Sequence, residues 1–231
     1  MSGQARWITE AEVAALIDMG GAIAALERGL AAEASGCAVN MEKTHAMFGH
    51  GDTLHAIGAT MLSEGMVGTK TWAHTEGGAN PLLLLFDAGD GQLVAVIEAF
   101  ALGQLRTAAI SGLATRWLSA PGASEMALVG AGKQALPQIA AIAAVRKLRR
   151  VRVASRNPEN AAAFARRASA ELRLEVEPAA SFAAAVKDAD IITLVTRATA
   201  PFLQSGRAGS AYQRGRCRRA RARRVRAVDA R

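Results

Sequence analysis

The chain is 231 residues long, 51% hydrophobic and formally +8 at neutral pH. That length allows one large or two small domains with a sizeable core, and no run of about 18 apolar residues marks a membrane span. The charge is lopsided: residues 204–231 hold ten Arg, one Asp and no Lys, whereas residues 1–203 hold 18 Lys plus Arg against 19 Asp plus Glu, so overall basicity gives no argument for a nucleic-acid-binding body.

The N-terminus lacks the charged-then-apolar pattern of a secretory leader. Cys37 and Cys217 are far apart and form no metal or redox motif, so a cytoplasmic, disulfide-free protein is expected. Thr9 followed by Glu12 reads as a capping box. It opens helical segments that the pattern breaks near Gly20 and Gly21 and stops at Gly36. From Cys37 the pattern turns strand-like. Residues 53–61 and 66–72 are rich in β-branched and aromatic types, and PLLLLFDA and QLVAVIEA flank a Gly89-Asp90-Gly91 hairpin turn. Residues 101–118 read as a helix with small residues on one side, suited to close packing, and Pro121-Gly122 marks a boundary.

This half carries all four histidines, His45, His50, His55 and His74. Their spacing fits no zinc pattern, so hydrogen-bonded or solvated histidines are expected and no metal site. Three cations stand out: Lys43, Lys70 and Arg106. Lys70 lies inside an apolar strand. Either it faces solvent, or it joins the other two around a carboxylate, Arg as a fork and Lys as a point charge. Burial would lower its pKa and suit it to proton transfer. Spacing does not decide between these.

The second half opens on the stretch that organises it. The apolar run Met126–Val129 meets Gly130-x-Gly132-x-x-Ala135, and a helix-prone segment follows. Such a turn is either a ligand-free Gly-rich loop or a dinucleotide fingerprint. In the second case Gly130 makes the tight turn, Gly132 admits a pyrophosphate and Ala135 packs helix on strand. The βαβ order that follows favours the fingerprint. After a second strand at 149–157, Ser155 and Arg156 stand where an NAD-binding unit often places an acid. A carboxylate would repel a 2′-phosphate and Ser-Arg would accept it, so NADP(H) is preferred and NAD(H) remains possible. Arg156 as a solvated turn residue is the plainer reading. Asn157 can cap the next helix. A third strand (LEVEPA), a third helix (SFAAAVKDA) and a fourth strand (ADIITLVTRATAPFL) follow, with Thr196 at the carboxyl end of the last. No fifth strand is expected.

Taken together, GTK, QLRTAA, VGAGKQA, VASRN and ADIITLVTRATAPFL resemble the ornithine cyclodeaminase/mu-crystallin family over residues 10–203. The resemblance implies an α/β chain. An N-terminal α+β substrate and dimerisation domain (1–120) would precede an incomplete Rossmann-type NAD(P)-binding domain (121–203) and an Arg-rich, aberrant and disordered tail (204–231). It implies hydride transfer between a nicotinamide cofactor and a small L-amino acid or cyclic imino acid, and a homodimer in the full-length form, with no membrane or nucleic-acid partner. Lys70 matches the family's catalytic, substrate-contacting lysine, and Arg106 the arginine at the substrate carboxylate and cofactor. Lys43 stands where many members have arginine. Gly130, Gly132, Lys133 and Gln134 match positions at the cofactor phosphates, Ser155 and Arg156 the ribose-reading position, and Thr196 a cofactor-contacting threonine.

The tail departs from the family. It is either a genuine basic tail or the product of a reading-frame shift, since codons for RAGSAYQRGRC (207–217) can read APGAHINAVGA one base away. The shift is the expectation, and with it an inactive 231-residue product. The shifted frame continues with Val where family cyclodeaminases carry an aspartate. The reading is therefore a ketimine reductase or amino-acid dehydrogenase, with ornithine cyclodeaminase and a non-enzymatic NADPH-binding protein as alternatives.

Overall fold

The computed structural model describes residues 4–198 and the backbone of residues 211–214. The chain divides into two compact units, Met1–Trp117 with Ala140–Val145, and Leu118–Ile139 with Arg146–Arg231. The strip 140–145, which the sequence places in the second domain, thus groups with the first.

The first unit contains β1 (Arg6–Ile8), α1 (Glu10–Leu16), α2 (Met19–Ala34), β2 (Ala38–Asn40), β3 (Thr44–Phe48), β4 (Asp52–Met61), β5 (Met66–His74), β6 (Leu82–Asp87), β7 (Leu93–Glu98) and α3 (Phe100–Leu118). Its sheet runs β1-β7-β6-β5-β4-β2, with β3 also paired to β4. The strands are antiparallel apart from β1, which lies parallel to β7. The Thr9 side chain accepts from the Glu12 amide, and the Glu12 carboxylate accepts from the Thr9 amide at 2.8 Å, completing the capping box. The helices part at Ile17-Asp18 and not at the glycines. Asp18 accepts the Gly21 amide at 2.7 Å and caps α2, so Gly20 and Gly21 fall in its first turn.

Ile23, Ala109 and Leu113 form the core where α2 meets α3, with Leu26, Leu105 and Val145 packed on it. The small-residue face of α3 is in use. A Cβ at Gly112 would stand 2.6 Å from the Ala141 carbonyl oxygen and 2.9 Å from Ile23 Cδ1. The start of α3 is held from outside its own sequence. The Glu10 carboxylate accepts the Phe100 and Ala101 amides at 2.6 and 2.8 Å, while Glu98 accepts the Glu10 amide at 2.8 Å. Each of two helix N-termini is thus capped by a carboxylate next to the other.

The second unit contains β8 (Glu125–Val129), α4 (Ala135–Ala143, whose last turn falls in the strip grouped with the first unit), β9 (Arg150–Ala154), α5 (Pro158–Leu172), β10 (Val176–Pro178), α6 (Phe182–Val186), β11 (Ile191–Leu194) and β12 (Ala211–Arg214). The sheet is parallel throughout, in the order β10-β9-β8-β11-β12. Every residue of β8 is buried, as expected of a central parallel strand covered on both faces. At its amino end the buried Glu125 carboxylate pairs with Arg149 and Arg150 and lies 3.8 Å from Arg152. Asp190 accepts the Ser124 and Glu125 amides, both at 3.0 Å.

The fifth strand corrects the sequence reading. Ile191, Ile192 and Thr193 of β11 are wholly buried, so the outer edge of that strand would leave backbone donors and acceptors unmet. Residues 211–214 pair with that edge in register, Ile191 to Ala211 through Leu194 to Arg214. The rest of the Arg-rich stretch, and its expected disorder, lie outside the described residues.

Candidate functional site

The carboxyl edge of the second unit's sheet gathers the residues singled out for a cofactor, apart from Arg106, which lies on α3 in the first unit. Numbered from β8, the strand order is 3-2-1-4-5, and the chain departs in opposite directions from β8 on one side and toward β11 on the other. Open α/β sheets bind ligands in the crevice at such a reversal. Gly130 leaves β8 at φ 117, where a side chain is strained, and its Cβ would stand 2.7 Å from the Val195 carbonyl oxygen. Its amide donates to the Ala154 carbonyl at 2.8 Å, tying the turn to β9. A Cβ at Gly132 would meet nothing within 4 Å, so that side of the turn is open. Ala135, fully buried, starts α4 and donates its amide to the Gly132 carbonyl at 2.9 Å.

Lys133 and Gln134 lie between Gly132 and the first turn of α4, where helix amides have no intrahelical partner and the dipole favours an anion. Val129 pairs with Ala154 and with Leu194, so Ser155 and Arg156 emerge beside Gly130 on one flank and Val195 and Thr196 on the other. Asn157 caps α5, accepting the Glu159 amide at 2.8 Å, which fixes the half-buried Ser155 and the exposed Arg156 just ahead of that helix. An open Gly132, the α4 N-terminus directly after it and a Ser-Arg pair at the end of β9 fit a dinucleotide with its phosphates on α4.

The first unit holds the three cations. Lys70 on β5 and Arg106 on α3 line one cleft of about 610 Å³ between sheet and helix. Gly103, one turn before Arg106, makes room for Lys70: a Cβ there would stand 2.8 Å from the Lys70 Nζ. The lysine is half-buried against the helix and does not point to open solvent. Lys43 is exposed, yet its Nζ lies 5.6 Å from the Trp72 ring centre, and Lys70 Nζ lies 5.3 Å from the same ring. The structure therefore brings Lys43 and Lys70 to one aromatic ring and Lys70 and Arg106 to one cleft.

Trp72 stacks on His55 at 4.7 Å, and His55 on His45 at 5.8 Å. Register explains it, since His45 pairs with His55 and His55 with Trp72 across three strands. His55 Nε2 also sits 2.8 Å from Thr53 Oγ1. Among the described residues no three His, Cys, Asp or Glu side chains gather as a metal site. Sequence reasoning missed Trp72 and Gly103. The signals were there, in the alternation that puts residues 70 and 72 on one strand face and in a glycine one helical turn before Arg106.

The fold is a Rossmann-type parallel α/β unit in one chain with a cation-bearing α+β unit. The ornithine cyclodeaminase/mu-crystallin family model matches residues 5–207, and the chain belongs to that family. It is 33% identical over 161 residues to the ketimine reductase mu-crystallin of Rattus norvegicus, covering 67% of this chain and 50% of that protein. The crystal structure of a probable ornithine cyclodeaminase from Bordetella pertussis Tohama I superposes with a TM-score of 0.84 at 27% identity, over 91% of this chain and 67% of that one. The Thermococcus litoralis Δ(1)-pyrroline-2-carboxylate reductase in complex with NADH and L-proline superposes with a TM-score of 0.77 at 25% identity, over 84% of this chain and 62% of that one. The chain spans about half the length of the mu-crystallin relatives it matches. Among the described residues no helix is long and apolar enough to cross a membrane.

Proposed function

We propose that this chain forms the NAD(P)-binding and substrate-binding parts of an enzyme that moves hydride between an L-amino acid or cyclic imino acid and a nicotinamide, as a ketimine reductase or amino-acid dehydrogenase does. One observation carries the reading: the Gly130 turn sits at the reversal point of a five-stranded parallel sheet, with Ser155, Arg156 and Thr196 on the same edge. The family and the names of its reductase relatives support it.

A bound nicotinamide supplies the hydride donor or acceptor; the chain supplies binding, orientation and charge. Arg106, Lys70 and Lys43 hold the substrate carboxylate, the first as a fork and the two lysines as point charges. Lys70 touches the same substrate, and its Nζ holds or passes the proton at the substrate nitrogen. The amides at the start of α4 take the pyrophosphate. Ser155 and Arg156 accept a 2′-phosphate and make NADP(H) the preferred form. The working enzyme is a homodimer, and the exposed apolar residues Val39, Met47, Phe48 and Leu54 on β2, β3 and β4 support that.

The gene carries a one-base shift near the codons for residues 204–207, and the natural product continues in the HINAVGA frame. The test uses both the 231-residue chain and the frame-restored protein. NADPH titration and NAD(P)H oxidation over a panel of cyclic imino acids should show turnover in the restored protein and none in the shorter chain. Lys70→Ala in the restored protein should lower kcat by about a hundredfold or more with the NADPH Kd unchanged. Absence of NADPH binding by either protein defeats the reading. NAD(P)H-dependent turnover by the 231-residue chain itself defeats the frame-shift part, as does a gene resequenced from the Thr196 codon without change.

A further inference from the structure

We infer that the cleft bearing Lys70 and Arg106 is built for a carboxylic acid with an extended apolar side chain, of about the length of a hexanoyl or phenylalkyl group. The inference rests on the reading of these cations as the carboxylate site and goes on to name the substrate class. Its basis is the sheet face that carries Lys70.

On β5 the residues sharing that face are Lys70, Gly68 and Met66, paired with Ile57, Ala59 and Met61 on β4 and with Leu83, Leu85 and Asp87 on β6. All of these line the cleft except Asp87, whose carboxylate accepts the Gly89 amide at 2.7 Å; Leu102 of α3 lines it from the helix side, and Asn40, which also lines it, donates its side-chain amide to Glu33 at 2.7 Å. The floor is graded. It begins at a cation, crosses two small residues, Gly68 and Ala59, and ends at the Met61–Met66 pair. Four residues of strand separate Lys70 from Met66, a reach of about 13 Å. The small residues leave a trough along that line, and methionine side chains at its end adapt to ligands of different shape.

A ligand held by its carboxylate at Lys70 and Arg106 therefore lays its side chain on methyl, methylene and thioether groups. An alkyl or phenyl group gains there by leaving water. An ammonium at the far end of the ligand would lose its hydration against Met61, Met66 and Leu85, which return no comparable hydrogen bond. The cleft volume of about 610 Å³ is in the range of small-molecule sites and larger than a side chain of one carbon requires. The site thus favours apolar acids over ω-amino acids and over short ones.

Calorimetric titration of the full 231-residue chain with butyrate, hexanoate, 4-phenylbutyrate and 6-aminohexanoate tests this without requiring turnover. Two added methylenes are worth about a tenfold gain in affinity, so hexanoate should bind about ten times tighter than butyrate, with 4-phenylbutyrate at least as tight as hexanoate. The 6-amino group should cost about tenfold or more against hexanoate. Lys70→Ala should weaken all four. Met66→Asp should narrow or reverse the gap between hexanoate and 6-aminohexanoate, and Met66→Leu should leave it in place. Equal affinity across chain length, preference for the ω-amino acid, indifference to Lys70→Ala or no binding at all overturns the inference. If the order holds but no nicotinamide-dependent turnover is found in any form of the protein, the substrate class stands and the hydride-transfer reading fails. If turnover is found with short or ω-amino substrates preferred, the reverse is true.

Discussion

Gly130 and Gly132 lie two residues apart in one turn, and substituting each should fail in a different way. At Gly130 an added Cβ meets the Val195 carbonyl oxygen at 2.7 Å on a backbone with φ 117. Gly130→Ala should cost about 2 kcal/mol or more of stability, read as a lowered denaturation midpoint before any cofactor is added. At Gly132 the added atom meets nothing. Gly132→Ala should change stability by no more than about 0.5 kcal/mol, yet weaken NADPH binding by about tenfold through lost approach of the pyrophosphate. Arg156 gives a third reading of the same crevice. Arg156→Ala should raise the Kd for NADPH by about tenfold to a hundredfold, the value of a charge-assisted hydrogen bond, and leave that for NADH nearly unchanged. A parallel loss for both cofactors would show that the residue does not read the 2′-phosphate. Away from the crevice, the Thr9 amide, then the Thr9 hydroxyl and Arg6, hold the Glu12 carboxyl below its usual 4.5. A carboxyl lowered by folding stabilises above its unfolded pKa, and the contribution fades as pH falls through the folded value. Glu12→Gln should therefore be less stable than the parent at neutral pH, and the two denaturation midpoints should converge as pH drops below 4.5.

The position of α3 is decided by residues far from it in the chain, and through it the position of Gly103 and Arg106. Glu10, about ninety residues earlier, caps its first turn, and Glu98 holds Glu10 in return. Glu10→Gln keeps the shape but has one acceptor oxygen in place of two, so it loses one of the bonds to the Phe100 and Ala101 amides and weakens the other. It should lower stability by about 1–2 kcal/mol and loosen carboxylate binding in the cleft, measured by titration at a temperature where both proteins are folded. Unchanged affinity would mean that the cap is a stability feature alone. This pair of carboxylates also shows where the sequence stops being legible. The capping box at Thr9 and the Asn157 cap were readable because donor and acceptor are three residues apart or fewer. The Glu10 cap was not, because nothing local links residue 10 to residue 100. The Gly-x-Gly turn and its βαβ sequel were legible for the same local reason. Trp72 and Gly103 were within reach of local periodicity, whereas the convergence of the cations depends on the packing of α3 against the sheet and on cross-strand register, which short windows do not report. The fifth strand was hidden by composition. Alanine, tyrosine, glutamine and arginine make a weak strand signal, and the unmet edge of β11 outweighs it.

Over the whole molecule the charge and the core are distributed by unit. The basic residues that set the net charge lie beyond residue 203, while the two clusters of functional residues sit in a body that is close to neutral. Long-range electrostatic steering by the body is therefore weak, and on the proposed function anion capture would rest on local groups: Lys70, Arg106 and Lys43 in one unit, the α4 terminus and Arg156 in the other. Three tryptophans are spread over the chain, and of these Trp72 is half-buried and the other two exposed. Trp7 is 54% exposed and Trp117 is 71% exposed, so both emit as solvated indoles, whereas Trp72 lies under two ammonium groups and beside an imidazole. An anion that draws either lysine off that ring alters the field at one indole and leaves the other two as a constant background. The fluorescence of the unmodified chain should accordingly respond to a carboxylate in its short-wavelength component alone, and Trp72→Phe should abolish the response while Trp7→Phe and Trp117→Phe preserve it. The stack on β3, β4 and β5 makes the protein its own optical reporter of occupancy, with no label attached.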